Sequence, residues 1–309
     1  MIAHDVLTYV CALSAGLDST PVAITPYTYS GYDHDLYNPY YRLEMREGKK
    51  PTVSSSDSHI DENEYYGEFI NYHIPENGRV PSLEVLAMYS AEPDWGMDDG
   101  IWLSPLQVLT KGSQGYRHLR FGLFGFRVGV AHKRLFHFTR LAEAGFKKND
   151  LYWGLRFSAR ALHFLEDLLT PVHTKPFPEL YPFLKIFSLR DLYFETYNYH
   201  LNFERMVSYY LWHGHDHFIR VIENAPGIPF TRKNLVSACW RVRLLFYPIF
   251  AECRRMWGGR MGRGFVKVPS EEIAGRNMSS SMEGYIKKWL KIASGMVKGY
   301  LKKVVAPNL

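Results

Sequence analysis

Residues 159–174 read ARALHFLEDLLTPVHT, an apolar run broken at His163, Asp167 and His173. No other stretch restricts the fold as much. On a helix, side chains four apart rise from adjacent turns of one face, so His163 and Asp167 project together. Pro171 ends that helix, and the chain can then swing His173 back toward the same side. Imidazole nitrogen and carboxylate oxygen together suit a divalent zinc ion. Farther along, His200 and Glu204 repeat the four-residue spacing, which makes two such pairs and a hinge histidine.

A chain of 309 residues can bury a substantial core. Its apolar fraction of 46% and aromatic fraction of 16% exclude a disordered chain. The net charge of +6 favours encounter with anionic matter, whether phosphate ester, nucleic acid or acidic lipid, without bearing on the fold. Cys11, Cys239 and Cys253 cannot all pair and form no C-x-x-C, so neither a thiolate zinc knuckle nor a disulfide framework is indicated. The N-terminal segment lacks a basic start and is interrupted by His4 and Asp5, which does not read as a signal peptide. That leaves the cytoplasm as the default compartment. No apolar run is long enough for a spanning helix.

Taken in order, residues 2–16 read as a short helix with His4 in its first turn, either a solvated helix-start histidine or a ligand. Residues 17–81 are rich in proline, glycine and tyrosine, then polar and acidic. They predict a loop-rich insertion or lid in which His34, His59 and His73 are surface residues. Helical period returns at Ser82, followed by EPDWGMDDG, a turn that presents Asp94, with Asp98 and Asp99 as solvated capping or loop residues. His118 stands just before an aromatic stretch. Residues 128–149 and 150–170 predict two helices joined by the polar turn KKND, and residues 190–222 a third carrying His200 and Glu204. The tail of that third helix, WHGHDH, misses the H-x-H-x-D-H hydrolase signature by one residue and reads as surface.

Residues 231–257 predict another helix, kinked or interrupted at Pro248, with Val236, Trp240, Leu244 and Leu245 as its buried side chains. GGRMGRG at 258–264 is a basic turn without the G-K-[ST] ending of a phosphate loop. The C-terminal part, 265–309, ends in an amphipathic basic helix. It either packs its apolar stripe on the protein or makes a peripheral contact with an anionic membrane surface.

The pattern H-x-x-x-D-x5-H followed by H-x-x-x-E, here His163, Asp167, His173, His200 and Glu204, resembles the zinc-dependent phospholipase C family, whose fold the fungal single-strand-specific nucleases share. Asp94 after a proline, His118 before aromatics, and His4 in the first helix match that family's remaining ligands. The resemblance implies one all-α, multi-helix domain over residues 1–309, with a long irregular insertion after the first helix. It implies two or three zinc ions in a cleft. Asp94, His118, His163 and Asp167 would hold one, and Asp167 would bridge to a second on His4 and the α-amino group. His173, His200 and Glu204 would hold the third. Family chains begin with a tryptophan at the α-amino position, where this sequence has Met1.

By the same resemblance, a metal-activated water attacks a phosphodiester with Asp94 as general base. Arg117 and Arg156 read either as phosphate contacts or as surface arginines. Glu204 favours a phospholipase C over the nucleases, which usually have aspartate there. The alternatives are a nuclease or nucleotidase of the same fold, with nucleic acid as substrate, and a non-catalytic metal- and lipid-binding helical protein.

Overall fold

The computed structural model describes residues 3–29, 69–70, 77–95, 102–110, 112–123, 126–178, 188–275 and 278–309. The described chain is mostly helical. Its helices in order are α1 (His4–Ser14), α2 (Ser82–Ser90), α3 (Ser113–His118), α4 (Ala131–Lys147), α5 (Leu151–Leu168) and α6 (Pro171–Thr174). They are followed by α7 (Leu189–Trp212), α8 (Asp216–Glu223), α9 (Arg232–Trp257), α10 (Ser270–Gly275) and α11 (Ser280–Tyr300). Two antiparallel ribbons are the exception to the all-α expectation. In one, β1 (Pro21–Ala23) pairs with β2 (Arg79–Pro81), Val22 opposite Val80. In the other, β3 (Phe121–Leu123) pairs with β4 (Phe126–Val128).

Helix α5 is the axis of the molecule. Asp150 caps its start by accepting from the Trp153 backbone N–H at 3.3 Å, and every residue from Tyr152 to Leu168 is buried. A helix buried on all sides lies inside the protein. Helix α4 runs back against it at backbone contact. A Cβ on Gly145 would stand 2.8 Å from the Gly154 backbone nitrogen, and one on Gly154 would strike the Phe146 ring. Asn149, at φ 56°, turns the chain between the two helices. One apolar cluster gathers side chains from α1, α2, α4, α5, α7, α9, α11 and the C-terminal turn around α5.

Three expectations need correction. The helix predicted over 190–222 is two helices, because the chain turns at Gly214, φ 61°, a backbone conformation that favours glycine. Helix α9 is not interrupted at Pro248 but runs through it. Its buried side chains are Leu235, Ala238, Val242, Phe246, Ile249 and Phe250, whereas Val236, Trp240 and Leu244 are exposed and Leu245 is half-buried. Of the two readings of the C-terminal amphipathic helix, packing on the protein holds: its apolar stripe is buried while Lys288 and Lys291 face solvent. Trp289 donates to the Leu169 carbonyl at the end of α5, and Lys298 donates to the Glu223 and Ala225 carbonyls, 2.7 and 3.0 Å away, at the end of α8.

The described ends of the 17–81 stretch are anchored rather than loose. Besides the β1–β2 pair, Thr25 and Tyr29 donate to the Asp150 carboxylate at 2.7 and 3.0 Å. The rest of that stretch, with His34, His59 and His73, lies outside the described residues, as do Asp98, Asp99 and Met1. No helix among the described residues is long and apolar enough to cross a membrane.

Candidate metal centre

Arg156, Arg160, His163 and Asp167 are spaced along α5 so that they form one polar stripe on a helix with no solvent-facing side. Buried charges must find partners, and the two halves of the stripe do so differently. Arg156 and Arg160 both grip Glu92. Arg156 donates through Nε at 3.0 Å and also through Nη2, while Arg160 donates through Nε at 2.8 Å and Nη2 at 3.1 Å. Burial opposes the charge on Glu92, but the two guanidiniums more than offset it and bring its carboxyl down to about 2. This clamp fixes the short turn Glu92–Trp95, and with it Asp94, against α5.

The other half of the stripe gathers imidazoles and carboxylates. His163 Nδ1 donates to the Ser90 carbonyl at 2.7 Å. Its Nε2 therefore faces His118 Nδ1 at 2.8 Å, Asp167 Oδ2 at 3.2 Å and Asp94 Oδ1 at 3.7 Å. His118, the last residue of α3, places Nδ1 2.7 Å from Asp167 Oδ2 and 3.5 Å from Asp94 Oδ1. The other oxygen of Asp167, Oδ1, lies 2.9 Å from His173 Nδ1 and 3.8 Å from His4 Nε2. Both atoms are buried, and the contact between them is close but poorly aligned for a hydrogen bond.

Beyond Asp167, Pro171 starts the single turn α6 at a position where a missing N–H does no harm. His173 Nε2 there meets His200 Nε2 at 3.0 Å and Glu204 Oε1 at 2.7 Å, and the third edge of that triangle is 3.2 Å. His4 reaches the cluster from α1. Its Nδ1 contacts Glu166 Oε2 at 2.6 Å, and Thr8 donates to the other Glu166 oxygen at 2.8 Å, so His4 Nε2 points at Asp94 Oδ2, 3.9 Å away.

The donor set can be tested against zinc. Tetrahedral zinc with bonds near 2.0–2.2 Å needs ligand atoms about 3.3 Å apart. The distances among Asp94, His118, His163 and Asp167 run from 2.7 to 3.7 Å, and those of the second triangle from 2.7 to 3.2 Å. Three sets of side chains converge closely enough to share an ion: His4–Asp94–His163, His118–His163–Asp167 and His173–His200–Glu204. Nitrogen and oxygen donors at this spacing, with their outer atoms held by Ser90 and Glu166, fit zinc.

Protonation follows the same division. Burial lowers His4, His118 and His200, the pattern of neutral imidazoles. Burial also acts against charge on His163 and His173, but Asp167 outweighs it, aided by Asp94 at His163 and by Glu204 at His173, where the value rises to about 10. Asp167 is held well below the usual carboxylate range by His163, His173 and His118 despite its burial. Burial, with Asp167 and Asp5 close by, pushes Glu166 well above that range.

All eight residues expected from the sequence thus lie together. The α-amino group expected beside His4 falls outside the described residues. His4 is buried rather than a solvated helix start, and Arg117 and Arg156 are both fully buried rather than surface residues, with Arg156 committed to Glu92. Comparison with protein-family models, curated proteins and solved structures found no match. The histidines of WHGHDH are exposed, and none joins a metal-competent set among the described residues. Sequence reading missed Glu92 and Glu166. Two arginines four apart in an otherwise apolar helix were the signal for the first, since such cations require a buried carboxylate. Glu166 carried no signal beyond its place beside Asp167.

Proposed function

We propose that the protein is a zinc-dependent phosphodiester hydrolase of the phospholipase C type, which cleaves a glycerophospholipid into diacylglycerol and a phosphorylated head group. This reading includes the multi-helix fold of that family and its kinship with the single-strand-specific nucleases. One observation carries it: side chains far apart in sequence meet in three ligand-competent groups. Of these, His118–His163–Asp167 and His173–His200–Glu204 fall within sites the family resemblance implies, while the third groups His4 with Asp94 and His163. When bound, zinc supplies Lewis acidity toward water and toward phosphoryl oxygens.

The chain's own residues do the rest. Asp94, 14% exposed while Asp167 is buried, is the carboxylate placed to take a proton from the attacking water. The Glu92 clamp keeps it in position. Asp167 orients His118, His163 and His173 through its two oxygens. His200, with 28% of its side chain exposed, is the most open histidine of the centre and marks the side from which a phosphate enters. Ser90 and Glu166 fix the ring orientations of His163 and His4.

One observation favours the nuclease alternative. Tyr193 and Tyr197 share the α7 face with His200 and Glu204, and Phe265 packs edge-on against both at 6.4 and 5.1 Å, an aromatic group that could stack bases. Zinc-loaded protein offered phosphatidylcholine vesicles and single-stranded DNA side by side decides between them. Release of phosphorylated head group supports the proposal, and DNA cleavage alone replaces it with the nuclease. Zinc content near zero, with neither substrate cleaved, would leave a non-catalytic protein.

A further inference from the structure

Helix α9 presents to solvent a face that the interior does not use. Val236, Trp240 and Leu244 follow one another at four-residue spacing and are 51%, 60% and 63% exposed, and Tyr247 continues the line. Lys233 and Arg254 extend the same face, Arg241 flanks it, and the Arg243 guanidinium stands 5.6 Å from the Trp240 ring. Glu252 is the helix's lone acid, and it is engaged by Arg255 and by Ser279, 2.8 Å away. Apolar side chains of this size in a row, edged by cations, form a surface that water does not favour.

The face also adjoins the metal centre. Lys175, two residues beyond His173, donates from Nζ to the Tyr247 hydroxyl at 2.6 Å. A surface resting on α9 therefore lies beside the opening marked by His200.

We propose that this face of α9 docks the protein on an anionic phospholipid surface, with Trp240, Val236 and Leu244 entering the head-group and acyl boundary while the flanking lysine and arginines contact lipid phosphates. Charge decides among the occupants. A second copy of the chain would set cation against cation across the contact. A nucleic acid would pair with the arginines but leave Val236 and Leu244 against a polar backbone. An anionic bilayer satisfies both parts of the surface. The inference deepens the hydrolase reading, because it names the surface from which that site would draw its substrate.

The test uses the full chain in excess chelator, so that binding is read without turnover. Sedimentation with vesicles of phosphatidylcholine and phosphatidylglycerol should exceed that with phosphatidylcholine alone, and should weaken with salt. The variant W240S/L244S alters only exposed side chains and should lower vesicle partitioning by about tenfold or more. R241Q/R243Q should remove the preference for anionic vesicles. Hydrolysis of a dispersed, water-soluble phosphodiester by the zinc-loaded W240S/L244S protein should stay at the parent level. Vesicle binding unchanged by W240S/L244S would overturn the proposal, as would no binding to either vesicle. So would a dimer that W240S/L244S converts to monomer, or single-stranded DNA binding lost with the same substitutions. Sedimentation without any hydrolysis would refute the hydrolase reading and leave this one standing. Hydrolysis without α9-dependent sedimentation would do the reverse.

Discussion

The two halves of the polar stripe on α5 differ in how a buried charge is satisfied. Around Glu92, one carboxylate meets two guanidiniums at hydrogen-bonding distance, and each of its oxygens accepts from both arginines. Around Asp167, the partners are histidines and a further carboxylate near zinc-ligand spacing, from His118 Nδ1 at 2.7 Å from Oδ2 to His4 Nε2 at 3.8 Å from Oδ1. One helix, within a few turns, thus holds a structural ion cluster and a centre whose donor set suits an added cation. Burial alone does not tell them apart. The identity of the counter-charges does, because arginine is a permanent cation whereas histidine is a cation only when protonated and otherwise a metal ligand.

Several measurements would break or sharpen this contrast. The largest expected effect is from E92Q, which leaves Arg156 and Arg160 buried without their anion. Urea unfolding should show a loss of about 3–5 kcal/mol, with or without zinc. Acid should act at the same point. The folded-state carboxyl of Glu92 lies near 2, below the ordinary 4.5. Its contribution is therefore complete above about pH 4.5 and is lost as pH falls toward 2, and unfolding scans across that window should follow it.

D167N should leave the Glu92 clamp intact while hydrolysis and zinc content fall, activity by more than about 100-fold. A D167N protein that keeps full zinc and activity would sink the metal reading of the cluster. Chelation should abolish hydrolysis and zinc should restore it. Zinc uptake near neutral pH should also release protons, since His173 holds one up to about 10 in the metal-free protein. Calorimetry in two buffers of different ionisation enthalpy measures that release. E166Q should weaken metal affinity about 10- to 100-fold through His4, with little change in fold. Smallest of all, H215A/H217A on the exposed turn should change stability by less than about 0.5 kcal/mol and leave zinc content unaltered.

How much of this was legible in the sequence depended on spacing. His163, Asp167, His200 and Glu204 could be read because four-residue repeats on a helix fix a shared face whatever surrounds them. The proline after Asp167 made the return of His173 readable too. Helix α9 was misread for the same reason: it carries two apolar stripes, and periodicity cannot say which one meets the core. Val236, Trp240 and Leu244 look as buried as Leu235, Val242 and Phe246 until the neighbouring helices are in place. At α11 the single apolar stripe was legible, with Lys288 and Lys291 outward, but the inward turn of Lys298 to the Glu223 and Ala225 carbonyls was not. At Pro248 local preference yielded to packing, since Ile249 and Phe250 keep the following turn seated in the core.

Asp167 turns one oxygen toward His118 and His163 and the other toward His4 and His173. A cation settling on either side draws electron density from the other, so neighbouring ions would compete for a common donor. Loading curves for such a centre cannot be a sum of independent isotherms, and each ion added should alter the affinity felt by the next.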